Sequence, residues 1–252
     1  MQLSERNVST AQSVGLCIEP DDSAATSMLL VLPVTFRKKD EKLLLADQAC
    51  NGLECWADNF GSVVLAAPVI PETLAERNKT VIWQDTSTLA QLGRFEFQPL
   101  PWAYSLPKFL ACYREVRQQL SELISRCRYL QFGIGGLWGD WGAIAALEAE
   151  KQRRTYAIHT DRVEHEVIRR KAKGANLKTQ IKARITSPLM AKYHERIIRH
   201  CTVGLWHGQD CYQAYSPVCK NNHLIHNIHL KPADSIQDAD LKEKLEKLTE
   251  AS

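Results

Sequence analysis

Apolar positions fall along the chain in two alternating rhythms. Met28 to Phe36 (MLLVLPVTF) is a short, nearly continuous apolar run followed by Arg37, Lys38, Lys39 and Asp40, which predicts a strand buried on both faces and then a polar turn. From Leu45 to Trp56 the apolar positions take helical spacing. Ser62 to Ile70 (SVVLAAPVI) predicts a second buried strand, closed by Pro68 and Pro71. Phe95 to Tyr104 begins with strand alternation and runs into a loop at its two prolines. From Phe109 the residues Tyr113, Val116, Leu120, Leu123 and Cys127 recur at helical spacing, behind a start at Ser105 and Pro107.

The alternation continues in the second half. Tyr129 to Ile134 reads as a strand, Trp141 to Glu150 as a helix, Tyr156 to His159 as a strand and Thr160 to Lys173 as a helix. Gly174 and Asn176 allow a break, after which Ser187 and Pro188 form a cap and first-turn pair opening a helix to His200. A strand at Cys201 to His207, a short helix at Gln209 to Tyr215, an extended segment at His223 to Lys231 and an amphipathic helix at Asp240 to Leu248 complete the series. Strands alternating with helices across short loops predict an α/β fold: a Rossmann-like, doubly wound, mainly parallel sheet. Ligands are then expected beyond the carboxyl ends of the strands, where the strand order reverses. The expected organisation is a loosely packed tail over 1–27, one domain over 28–234 and a carboxyl-terminal helix over 235–252.

Composition narrows the class. The 252 residues are 44% hydrophobic and 24% charged, which argues against a disordered, collagen-like or disulfide-scaffold chain. The longest apolar stretches fall far short of the roughly 18 residues a membrane-crossing helix needs. Glu5, Arg6, Glu19, Asp21 and Asp22 make the amino terminus unlike a secretory signal, so a cytoplasmic protein is expected. The eight cysteines are dispersed, with no CxxC and no Cys and His spacing suited to zinc; reduced core thiols and no metal are expected.

The net charge of +3 hides an asymmetry. Residues 1–150 carry 13 Lys and Arg against 18 Asp and Glu, whereas 151–252 carry 19 against 11. Between Glu166 and Glu195 lie Arg169, Arg170, Lys171, Lys173, Lys178, Lys182, Arg184 and Lys192, without one acid. Few aromatics accompany them, which argues against a nucleic-acid surface built on stacking. Anionic lipid headgroups are better motivated, at about 1 kcal/mol for each cation near a membrane. That pattern predicts peripheral attachment to the inner face of the cytoplasmic membrane; a solvated face fits the same charges.

Two strand ends carry candidate chemistry. After the strand ending near Ile134 comes GIGGLWGDWGAIAALEAE, where Gly133, Gly135 and Gly136 let the backbone turn tightly and approach a ligand. Trp138 and Trp141 flank Asp140, placing aromatic faces beside a carboxylate as a sugar-binding cleft does. The same spacing also suits a helix cap at Asp140 with core tryptophans. A dinucleotide fingerprint is excluded, because these glycines follow a late strand and the first loop has none. After the next strand, YAIHTDRVEHEVIRR gathers His159, Asp161, Arg162, Glu164 and His165, groups able to hold a polar acceptor or move a proton. Capping by Asp161 and dipole complementation by Glu164 remain the alternative. His223, His226 and His229 recur at every third position, which suits neither a strand face nor a helical metal pair.

Taken in order, GLWGDWGAIAALEAE, YAIHTDRVEHEVIRR, the basic linker, SPLMAKYHERIIRHCTVGLWHGQD and HLIHNIHLKPAD resemble the amino-terminal, acceptor-side half of a GT-B glycosyltransferase of family 4, over Met28 to Asp234. The resemblance implies transfer of a sugar from a nucleotide-sugar donor to a saccharide or lipid-linked acceptor in polysaccharide or glycolipid assembly, with retention of anomeric configuration. Gly135, Gly136, Trp138, Asp140, Trp141, His159, Asp161, Arg162, Glu164 and His165 become the expected acceptor rim. In that family a second lobe holds the nucleotide sugar through an acidic pair. After Asp234 only 18 residues remain, so a separate subunit is expected to supply the donor half and turnover by this chain alone is open. The first loop, PVTFRKKD, lacks the family's paired glycines; Arg37 could meet donor phosphate by charge instead, while a polar surface turn fits as well. A non-catalytic interaction module, or an unrelated Rossmann-like enzyme using NAD or S-adenosylmethionine, stands as the alternative.

Overall fold

The computed structural model describes residues 26–226 and, near the carboxyl terminus, residues 240–242, 244–245 and 247. The expected tail is thus outside the described residues up to position 25, as is His229. The six described residues near the carboxyl terminus are helical and exposed.

Among residues 26–226, ten strands and seven α-helices follow in chain order. They are β1 (Ser27–Val31), β2 (Phe36–Lys39), β3 (Lys42–Ala46), α1 (Asp47–Ala57), β4 (Ser62–Pro68), α2 (Glu72–Ala75), β5 (Trp83–Asp85) and β6 (Phe95–Leu100). Then come α3 (Leu106–Arg126), β7 (Tyr129–Gly133), α4 (Trp141–Lys151), β8 (Ala157–Thr160), α5 (Glu164–Ala172), α6 (Leu177–His200), β9 (Val203–His207), α7 (Gly208–Tyr215) and β10 (Asn222–Ile225). Seven strands form one sheet in the order β10-β9-β8-β7-β1-β4-β6, every neighbouring pair parallel. The chain winds outward from β1 through β4 to β6, returns to β7 on the other side of β1, and winds outward again. That is the doubly wound, Rossmann-like order, with its switch point between β1 and β7.

Strand parity divides the core. Leu29 and Val31 of β1 face a layer holding Phe132, Ile158, Trp206 and the buried sides of α3, α4 and α6, whereas Met28 and Leu30 face Leu45, Leu53 and Leu65. Leu29 and Leu30 are fully buried, each contributing about 1.5–3 kcal/mol of transfer free energy. Helix α4 is buried along most of its length and is alanine-rich, so it packs closely against β7 and β1 and against α3 and α6. All seven described cysteines are free thiols, five of them buried. No helix of the described residues is long and apolar enough to cross a membrane.

Four expectations are corrected. The run Met28 to Phe36 is not one strand: β1 ends at Val31, and β2 belongs to a separate antiparallel sheet, β2-β3-β5. The intervening turn puts Asp40 and Glu41 at φ 47° and 61°, a primed hairpin geometry in residues that carry little of the usual glycine or asparagine signal. Leu45 therefore pairs in β3 rather than beginning a helix, and α1 starts at Asp47. Nor does a helix open at Ser187 and Pro188. Helix α6 starts at Leu177, where the Asn176 side chain accepts from the Thr179 amide at 2.9 Å, and it runs through Pro188. Pro188 only removes the amide that would meet the Arg184 carbonyl, which the flanking turns tolerate. Helix α5 begins at Glu164, four residues later than the pattern suggests.

Candidate functional site

Beyond the carboxyl ends of β1 and β7 lies a hollow of about 400 Å³, lined among others by Pro33, Tyr104, Gly135, Gly136, Asp140, Asp161, Arg162 and Glu164. It sits at the switch point because the chain must leave β1 and β7 toward opposite sides, opening a crevice between their loops. Six expected rim residues thus share one cavity: Gly135, Gly136, Asp140, Asp161, Arg162 and Glu164. Trp141 also reaches its wall.

Asp140 organises the floor. One carboxylate oxygen accepts from the Gly135 and Gly136 amides at 2.8 and 2.7 Å, and the other accepts from the Ala143 amide at 3.0 Å. It is therefore the N-cap of α4 and also the anion that occupies the glycine loop, so those two amides are already engaged. The Gly136 carbonyl is held from the far side by Nε2 of His194, 3.1 Å away on α6. Gly139 takes a left-handed φ of 74°, and a Cβ there would sit 2.6 Å from the Ala103 carbonyl.

The rim above is polar and mixed in sign. Arg162 reaches Glu164 at 2.9 Å and Asp161 at 3.8 Å, with Arg162 and Asp161 well exposed and Glu164 largely covered. Carboxylates offer acceptors and the guanidinium offers donors, a set suited to a neutral polyhydroxyl ligand rather than to an anion. Burial, with the Asp140 charge adding to it, pushes the Tyr104 phenol up to about 12, so it remains a hydroxyl at neutral pH. Tyr104, Pro33 and Pro68 were not singled out by motif. They lie at or just beyond the carboxyl ends of β6, β1 and β4, the positional rule that would have found them.

Trp141 meets the hollow from a buried position, and the other expected residues go elsewhere. Trp141 is 3% exposed and its indole N–H donates to the Pro101 carbonyl at 2.9 Å. Trp138, on the loop between Gly136 and Gly139, does not line the hollow; it is partly exposed and packs near Phe109, with ring centroids 5.9 Å apart. His159 lines an adjoining hollow of about 570 Å³, which shares Leu32, Pro33, Val34 and Asp161 with the first and extends over the sheet face that carries Leu30, Gln131 and Leu205. His165 lines a third, between α5 and α6. Arg37 is engaged with the Glu72 carboxylate, and its guanidinium lies 5.8 Å from the Trp83 ring centroid. Among the described residues no cluster of three His, Cys, Asp or Glu side chains is placed to hold a metal.

Nε2 of His159 and Nδ1 of His165 are buried without a hydrogen-bond partner. Burial lowers both imidazoles below their ordinary value, against the opposing pull of Asp161 on His159 and Glu166 on His165. Between their folded values and the ordinary value of about 6.5, the unfolded chain holds more protons than the folded one. Stability is thus expected to fall as pH drops through that window. Urea midpoints measured from pH 7.5 to 5.5 should show a shallower fall for His159→Gln than for the parent; equal slopes would mean that His159 does not titrate with folding.

The cationic stretch occupies α5, its C-cap and the first half of α6. Arg169 and Arg170 share Glu166, at 3.8 and 2.8 Å. Lys171, Lys173, Lys178 and Lys182 make no salt bridge among the described residues.

No protein-family model matches the chain, and no curated protein sequence matches it. Among solved structures it is similar to a UDP-glucosyltransferase from Polygonum tinctorium capable of glucosylating indoxyl, at 9% identity and TM-score 0.46, over 86% of this chain and 56% of that one. It is similar to a protein described as a UDP-N-acetylglucosamine 2-epimerase from Listeria monocytogenes, at 10% identity and TM-score 0.37, over 77% and 42%. It is also similar to FtsZ of M. jannaschii, at 10% identity and TM-score 0.34, over 72% and 46%. The chain spans about half the length of each of these solved chains. Likeness of this degree assigns neither family nor activity; the fold class rests on the strand order.

Proposed function

We propose that this chain is the acceptor-side lobe of a glycosyltransferase, receiving the hydroxyl of a saccharide or lipid-linked acceptor for transfer from a nucleotide sugar in polysaccharide or glycolipid assembly. The observation that carries this reading is the switch-point hollow, where Asp161, Arg162, Glu164 and the Asp140-clamped glycine loop meet in one cavity. Carboxylates accept from sugar hydroxyls, Arg162 donates to ring or hydroxyl oxygens, and Tyr104 can do either. Trp138, on the loop between Gly136 and Gly139, adds a partly exposed aromatic face for the apolar side of a sugar ring. Transfer also needs a donor held opposite this rim, because the rate gain comes from fixing both reactants in one geometry. The described residues build one lobe, and the nucleotide sugar is assigned to a second, donor-binding half opposite this rim.

Titration of tryptophan fluorescence against a saccharide and lipid-linked-saccharide panel tests the acceptor half. At least one member is expected to change the emission, with Trp138→Phe losing most of the signal. Glu164→Gln and Arg162→Ala should each weaken binding about tenfold or more, the cost of a hydrogen bond to a charged group. Silence across the panel would remove the reading. The donor half is tested by mass spectrometry of co-purifying chains followed by a nucleotide-sugar transfer assay.

A further inference from the structure

Helix α6 carries a second feature that sugar transfer does not use. Ala183, Ser187, Met190 and His194 turn one face into the core. On the opposite face, Leu177, Ile181, Ile185 and Leu189 recur at every fourth position and are 72%, 50%, 64% and 51% exposed. A stripe of four large apolar side chains in water is unfavourable unless something covers it. Lys178 and Lys182 are interleaved with the stripe on the same exposed side. Beside it, between α5 and α6, opens a cavity of about 610 Å³ whose walls include Arg169, Lys173 and Arg184.

We propose that the α5–α6 hairpin is a docking surface for an anionic phospholipid bilayer, with the stripe entering the headgroup–acyl boundary and the cationic cavity taking lipid phosphate. Charge complementarity selects this occupant. No acid lies between Glu166 and Glu195, and an exposed apolar stripe edged by cations suits a helix lying in the plane of an anionic membrane interface. Both features occur on one solvent-facing side, so a bilayer can satisfy them together. A duplex nucleic acid would engage the cations and leave the stripe in water; a second copy would bury the stripe and oppose like charges. The inference is independent of the proposed transfer reaction and fails separately from it.

Co-sedimentation of the full chain with phosphatidylcholine vesicles, with and without phosphatidylglycerol, is the test. Binding is expected only to the anionic vesicles and should decline with salt. Lys178→Ala with Lys182→Ala should lower partitioning about 25-fold, at about fivefold per cation. Ile181→Ser with Ile185→Ser should lower it about tenfold or more at unchanged charge. All four side chains are solvent-facing, so far-UV circular dichroism and the thermal midpoint should match the parent and exclude misfolding. Failure to bind, or equal binding to neutral vesicles, overturns the proposal. So does an isoleucine variant that binds like the parent, since the stripe would then not insert. A dimer that the isoleucine variant dissociates, or a DNA duplex that competes with vesicles and binds this variant unchanged, overturns it in favour of a second copy or nucleic acid.

Discussion

Gly142→Ala is expected to destabilise the protein by about 3 kcal/mol or more, the upper part of the range for overpacking a close-packed core. A Cβ at this position would sit 2.0 Å from the Gly133 carbonyl oxygen and 3.2 Å from that of Val31. Both are backbone atoms at the carboxyl ends of β7 and β1, so no side-chain rotation relieves the clash. Helix α4 would have to lift from the sheet, reducing the burial of Ala143, Ile144, Ala146 and Ala149 beneath it. Gly93→Ala is the control, because its Cβ would meet nothing within 4 Å and its φ is not left-handed; it should be neutral or slightly stabilising. In a chain of this size each kcal/mol moves the thermal midpoint by about 2–4 °C. Coincident melting of the two variants would refute the close approach of α4 to the switch point.

Asp140→Ala is expected to cost a comparable amount, about 3 kcal/mol, and to abolish acceptor binding. Three amides would lose a charged acceptor in a mostly buried place, and each such bond is stronger than a neutral one. The cap of α4 and the shape of the glycine loop go together, because the same carboxylate makes both. Asp140→Asn should fall between, since its amide group offers one accepting oxygen where the carboxylate offers two. The freed Gly135 and Gly136 amides would be left as an open anion site, so sulfate should raise the midpoint of Asp140→Ala more than that of the parent. An alanine variant that melts with the parent and keeps saccharide binding would show that the carboxylate neither caps nor shapes the loop.

The legible part of the fold was the part governed by burial. Apolar runs such as MLLV and SVVLAA have few alternatives to a central parallel strand, and the periodicity from Phe109 to Cys127 matches α3 within a few residues. The β2-β3-β5 sheet escaped because its hairpin turns on Asp40 and Glu41, whose positive φ angles are imposed by strand pairing rather than by residue preference. Pro188 misled for the opposite reason. Its local signal is a helix start, but Asn176 caps the helix eleven residues earlier, and burial of Ala183, Met190, Ile197 and Ile198 holds the helix through the proline. The hydrophobic gain along the whole helix exceeds the cost of one missing hydrogen bond.

For the candidate site, residue type and position after a strand were enough to single out Gly135, Gly136, Asp140, Asp161, Arg162 and Glu164, because loops after parallel strands gather at one edge of the sheet. Parity decided the rest. Ile158 and Thr160 are buried on β8 while His159, between them, faces the adjoining hollow, which Asp161 lines as well as the first. The chain's own order of residues settled the α/β class, the doubly wound path and the chemical types available at two strand ends. Which of those groups share a cavity, and that Tyr104 joins them, depended on contacts between segments far apart in the chain. Such contacts are set by how helices seat on a twisted sheet, a property of the assembled layers that no local pattern encodes.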